Sequence, residues 1–504
     1  MPKLSSTLPL SLRGPKTGTP LYRWLYDELR LRILSGQLRP GTRLPATRDL
    51  AAQYGLSRPT IVTAFEQLRS EGYVEGKVGS GTYVSQTLPD ELLQASRAKP
   101  STIKHRRRVT LSNYAKRLKT TQQEVPRDVL RSRASRASAP RAFRAGQPAL
   151  DAFPSDLWAQ VASRRLRRVS TGLLAGGEAL GYRPLREAVA EYLNTSRGVD
   201  CSAEQVLIIS GVQEALDRAA HLLLNPGDPV WMEEPGYPRA AACFSSVGAK
   251  ICPVSVDNEG LDFKVGQSRY PIPPLIYVTP AHQFPLGVTM SLPRRLSLLE
   301  WARKSGVMIF EDDYDSEYRY SGRPVPALQG LDRAGVVIYA GSFTDALFPA
   351  LRLGYLVAPP VMVEIFGAAA SVSTHHPPLI DQAILCDFIV EGHFARHVRR
   401  MRELYAERLG VLIKEVRAQL SGLLNISDVE AGLRTVGWLP QKISAERVAK
   451  AAANCDVEVV PISRYAFTRS RLNGLVLGFA AVDGHELKRG VQELARVLND
   501  SRAQ

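Results

Sequence analysis

At 504 residues, with 44% hydrophobic and 23% charged side chains, the chain is globular and too long for one ordinary core, so two or more domains are expected. No apolar run reaches the roughly 20 residues that span a bilayer, and the start MPKLSSTLPLSLRGPKTG lacks a secretory core, so a cytoplasmic location is expected. The net charge of +16 attracts polyanions, nucleic acid above all, while five scattered cysteines (Cys201, Cys243, Cys252, Cys386, Cys455) spell neither a disulfide framework nor a metal site.

In chain order, residues 1–20 read as a flexible Pro/Gly-rich lead. Leu21, Leu25, Leu29 and Ile33 then share one face of a helix ending at Gly36. A short helix from Thr47 to Tyr54 closes at Gly55, and Ser57 is a good N-cap for a third helix with Pro59 in its first turn. Its inner face is Ile61, Phe65 and Leu68. Two short strands around Gly79-Ser80-Gly81 follow, which completes a winged helix-turn-helix.

The pattern LPATRDLAAQYGLSRPTIVTAFEQLRSEGYVEGKVGSGTYV closely resembles the GntR family of bacterial DNA-binding domains. The resemblance implies that residues 21–86 bind a double-stranded DNA operator, with Ser57, Arg58 and Thr60 in the major groove. Arg43 and Arg48 would hold phosphates, and Gly79, Ser80, Gly81 and Thr82 would form the wing tip. Arginine and hydroxyls at a helix N-terminus suit phosphate or base edges. Ala46 stands where the family often has a capping serine, and Thr47 is expected to take over.

Residues 87–143 carry KHRRR (Lys104 to Arg108), KRLK (Lys116 to Lys119) and RSRASR (Arg131 to Arg136), and read as a basic linker kept extended by self-repulsion, with nonspecific phosphate contact secondary.

From 144 to 504, strand and helix patterns alternate, as in an α/β fold with a largely parallel sheet. Val206 to Ser210, Pro229 to Met232, Leu275 to Thr279, Val307 to Phe310 and Val336 to Ala340 are the strands, each followed by a polar turn. Ligands of such sheets sit outside the carboxyl ends of the strands. GYRPLREAVAEYL, NPGDPVWMEEPGYP, TPAHQFPLG, EDDYDSEYRY and GHFARHVRRMRELYAER together resemble MocR-type regulators. These join a GntR-type winged helix to a fold type I, pyridoxal phosphate (PLP)-dependent aminotransferase-like domain. The resemblance implies that Tyr237 stacks on the cofactor ring, Asp312 pairs with its nitrogen, and Tyr314 faces its hydroxyl with Gln283 nearby. Gly211, Ser342, Thr344 and Arg352 would cradle the phosphate.

Three positions depart from the family pattern. SFTDALFPALRLGY carries Asp345 where the family has its Schiff-base lysine, and a carboxylate is no amine nucleophile. LVLGF carries Val476 where the family has the arginine that grips a substrate carboxylate. Val212 replaces a common hydroxyl beside the phosphate. Lys250, Lys264 and Lys304 fall away from the polar turns and offer no substitute amine. Arg434 reads either as a relocated anion site or, preferably, as a solvated strand-edge arginine.

The expectation is therefore a transcriptional regulator without catalytic or metal-binding residues, whose second domain dimerises the protein and senses a small-molecule effector. PLP would bind there at most noncovalently. The linker permits a domain-swapped homodimer. The alternative is an active PLP-dependent aminotransferase fused to a DNA-binding domain.

Overall fold

The computed structural model describes residues 20–77, 81–88, 110–124, 141–321, 325–427, 429–469 and 471–503. It divides into two compact units, Met1–Thr110 and Leu111–Gln504. Residues 1–19, Gly79 and Ser80 of the expected wing tip, and the basic runs 104–108 and 131–136 lie outside the described residues.

The first unit is α1 (Leu21–Leu34), α2 (Thr47–Tyr54), α3 (Arg58–Ser70) and the antiparallel pair β1 (Val74–Lys77) and β2 (Gly81–Val84). Leu25, Leu29 and Ile33 of α1 pack on Leu50, Ile61, Phe65 and Leu68, and Val74 and Val84 close the core. Leu21 is not part of it, being 43% exposed; it is the first helical residue, and Trp24 one turn on fills the inner position. Ser57 caps α3 by accepting from the Thr60 amide at 3.3 Å. The α2 cap differs from expectation. Ala46 is the N-cap and makes no side-chain bond, and Thr47 is already the first helical residue.

In the second unit the main sheet runs β3 (Val206–Ile209), β10 (Gly354–Val357), β9 (Val337–Ser342), β8 (Met308–Asp313), β7 (Leu275–Val278), β4 (Pro229–Glu234), β5 (Lys250–Asp257) and β6 (Gly260–Leu261). β9, β8, β7, β4 and β5 are parallel, so their carboxyl ends open on one side. The sheet is largely parallel as expected, with β10, which is not among the expected strands, lying antiparallel between β3 and β9. This strand follows β9 after a short turn, too short for a parallel crossover. Three apolar clusters cover the sheet faces, as buried parallel strands require.

A smaller antiparallel sheet runs β11 (Asn425–Ile426), β12 (Arg434–Trp438), β14 (Gly474–Gly478) and β13 (Val460–Pro461). The helices His393–Gln419 and Gly484–Ala503 pack with it around a separate core. Within the expected linker, Asn113–Glu124 is a helix rather than extended chain. It lies against the helix Pro238–Val247, with Arg117 Nε donating to the Ser246 carbonyl at 2.9 Å. Among the described residues, no helix is long and apolar enough to cross a membrane.

Candidate ligand pocket and DNA interface

A cavity of about 680 Å³ opens at the carboxyl ends of the parallel strands. Gly211, Tyr237, Asp312, Tyr314, Ser342, Thr344, Arg352 and Asp345 all contribute to its wall.

One end offers hydrogen-bond donors. Gly211, at φ +126° and without a side-chain cap, begins the helix Val212–Leu223, leaving first-turn amides for an anion. Ser342 ends β9 and accepts from the Thr344 amide at 3.1 Å, opening a one-turn helix, Phe343–Ala346. Arg352, exposed and at φ +52°, begins the return into β10.

The other end is a buried carboxylate among aromatic rings. Asp312 lies near the end of β8 and is 4% exposed. Its Oδ2 accepts from the Tyr277 hydroxyl at 2.7 Å, while Oδ1 has no partner among the described residues. Burial pushes its pKa up to about 7, against the pull of the Tyr277 bond. Tyr237 meets Phe284 edge-on at 5.2 Å, and the Tyr314 hydroxyl sits 3.1 Å from His282 Nδ1, which is itself 2.9 Å from Asp315 Oδ1.

Gln283 departs from expectation because it is 1% exposed and not on the wall. Its amide is used by the Pro235 and Phe284 carbonyls and Glu233, and its oxygen accepts from the Leu286 amide. A side chain so bonded braces the turn instead of facing a ligand.

Asp345 is 5% exposed, held on the one-turn helix whose carbonyls at 345 and 346 accept from the Tyr318 hydroxyl at 3.3 and 3.2 Å. Among the described residues no lysine lines the cavity. Val476 is fully buried against Phe284, Val436, Ile462 and Tyr465.

Arg434 reverses its expected place. It is 7% exposed, its strand β12 is internal to the small sheet, and it lines the cavity. Its guanidinium lies 4.7 Å from the Phe284 ring centre and 4.9 Å from that of Tyr314. Burial pulls its pKa down, but Tyr314, Asp315 and Asp345 together hold it above the ordinary arginine value. Arg434 thus fits the less favoured of its two sequence readings, an anion site, and Tyr277 is a pocket residue that the sequence reading did not single out. A lone tyrosine in the aliphatic strand LIYV was the available signal for Tyr277.

In the first unit Arg43, Arg48, Ser57 and Arg58 are exposed, and Thr60 is half-buried. The Ser57 and Thr60 hydroxyls are 2.7 Å apart, so both are engaged at the start of α3, where Arg58 is exposed. Gly81, at φ +112°, leaves room for Arg43, whose Nε would lie 3.0 Å from a Cβ there. Thr82 is half-buried in β2, beside the described edge of the wing.

Residues 21–84 match the family of bacterial regulatory proteins, gntR family, and residues 143–494 match aminotransferase class I and II. The chain is 41% identical to the probable rhizopine catabolism regulatory protein MocR of Rhizobium meliloti, over 94% of this chain and 93% of that one. It is 32% identical to the HTH-type transcriptional regulator TauR of Rhodobacter capsulatus, covering 92% and 94%. Among solved structures, the LysN α-aminoadipate aminotransferase of Thermus thermophilus matches with a TM-score of 0.69 and 28% identity, over 78% of this chain and 98% of that one.

Proposed function

Because the chain belongs to the MocR-type transcriptional regulators, a gntR-family module with an aminotransferase class I and II body, we propose that this body binds a ligand noncovalently and does not transaminate. The observation that carries the reading is Asp345, a buried carboxylate on the pocket wall at the position the family pattern gives to lysine. A carboxylate can neither anchor a carbonyl covalently nor shuttle a proton as an amine does.

The rest of the wall fits PLP. The unpartnered Asp312 Oδ1 suits a protonated ring nitrogen, and Tyr237 and Tyr314 would flank the ring. Gly211, Ser342, Thr344 and Arg352 would hold the phosphate. When bound, PLP supplies an electrophilic carbonyl and an electron-withdrawing ring. Here Asp312 would orient the ring and the amides at Gly211 would fix the phosphate, with no lysine amine on the wall among the described residues to complete a reaction.

The gntR-family module binds double-stranded operator DNA in the cytoplasm. Arg58 of α3 would read the major groove and Arg43 and Arg48 would hold phosphates. A homodimer placing two modules on two half-sites follows from that mode. Exposed Ile365 and Val372, two turns apart on the helix Val363–Val372, with exposed Val361 in the turn before it, support self-association through the body.

The test is borohydride reduction of the purified protein with PLP, followed by peptide mapping. No phosphopyridoxyl lysine is expected from the wild type, whereas Asp345→Lys should gain one at position 345. A stoichiometric adduct on a wild-type lysine would favour the working aminotransferase instead.

A further inference from the structure

The small sheet places Arg434 beside the position that lacks its arginine. Val476 of β14 stands opposite Val436 of β12, and Arg434 lies two residues from Val436 along that strand. Residues two apart in a strand share a face, so Arg434 is the diagonal cross-strand neighbour of Val476. Both sites converge on one ring. Val476 packs against Phe284, and the Arg434 guanidinium lies 4.7 Å from its centre.

Among the described residues that guanidinium is only partly satisfied. Its Nε is buried without a hydrogen-bond partner among the described residues. The nearest carboxylate oxygen, Asp315 Oδ2, is 3.8 Å from Nη2, beyond hydrogen-bond reach, and Asp315 uses its other oxygen on His282. An arginine carries five donors in a planar fork that matches a carboxylate, and leaving buried donors unpaired is costly. This one sits on the wall of an open cavity that also contains Asp345.

We propose that Arg434 is the ligand-carboxylate receptor of this pocket, reaching from β12 the space that an arginine at 476 would reach from β14, with Asp345 facing the ligand's amine. The ligand class is a carboxylate-bearing amine joined to a phosphopyridoxyl group, recognised without any bond to the chain. The inference rests on the noncovalent reading of the pocket and adds what the pocket discriminates.

Two probes of equal reach separate the steps. Phosphopyridoxyl-L-alanine and phosphopyridoxyl-ethylamine share ring, phosphate and secondary amine, and differ in the carboxylate. Titrated calorimetrically into the full chain, the alanine compound should bind about ten-fold or more tighter, the ordinary worth of a charge-assisted pair. Arg434→Gln should abolish that difference. Equal affinities in the wild type, or a difference that survives Arg434→Gln, would overturn the role of Arg434 while leaving the noncovalent pocket standing. Binding of neither probe would overturn both. The wild-type comparison decides even where the variant fails to fold.

Discussion

Asp312 is a carboxylate taken fully out of water and met by one neutral hydrogen-bond donor, Tyr277. Its pKa rises from 3.8 to about 7, chiefly because burial disfavours the charged form. The folded state therefore binds the proton more tightly than the unfolded chain. Stability from this group is fully present below about pH 4 and is lost as pH rises through 7, by roughly 4 kcal/mol in all. Asparagine keeps an acceptor for Tyr277 and carries no charge. Asp312→Asn should thus raise the melting temperature of the ligand-free protein relative to wild type, by several degrees more at pH 8 than at pH 5. Glu311 and Glu317, also pushed up to about 7, titrate in both proteins, whereas Glu233 repels Asp312 and is relieved with it in the variant. A melting difference that does not change with pH would count against a strained Asp312. Asp312 was legible through the family resemblance, because the strand end EDDYD by itself offers four acids and picks out none of them. The interior place of Arg434 was not, since no local pattern tells that β14 pairs outside β12 and turns an apparent edge into an interior.

Among the elements, α3 was read nearly to the residue, because a capping serine, an early proline and an apolar stripe all point the same way. β10 was not, because its antiparallel pairing depends on which neighbours the chain leaves free. The same logic of local signals assigns roles within α3. The Ser57 and Thr60 hydroxyls bond each other, and Ser57 also accepts from the Thr60 amide, so both help to fix the start of the helix. Arg58 is exposed and is the long donor at that end. Arg58→Ala should weaken operator binding by about 1–3 kcal/mol, the range for a groove-reading arginine, with helix content unchanged. Fluorescence anisotropy at one fixed salt concentration measures it, since phosphate contacts are strongly salt-dependent. Wild-type affinity in this variant would move the interface away from the start of α3.

At the scale of the whole molecule, a net charge of +16 opposes self-association at low ionic strength, so an encounter between two copies must bury apolar surface to persist. The segment 361–372 provides such surface. Val361, in the 3-10 turn Pro360–Met362, is 87% exposed, and on the helix Val363–Val372 that follows, Ile365 is 49% and Val372 89% exposed, while Phe366 and Ala370 on its opposite side are buried. Isolated exposed valines are ordinary, but a stripe at helical spacing on a helix otherwise rich in alanine is a surface suited to a partner. A second copy fits the two half-sites that a winged-helix regulator would engage. Ile365→Glu places a charge in the middle of the stripe, where burial would strand it. This variant should sediment as a monomer at concentrations where the wild type is dimeric. It should also bind a two-half-site operator more weakly while keeping its affinity for one half-site. Salt provides the control: raising it screens the like charges and favours the wild-type dimer, but cannot restore the apolar contact in Ile365→Glu. An Ile365→Glu protein that sediments with the wild type at every salt concentration would place the dimer contact elsewhere on the body.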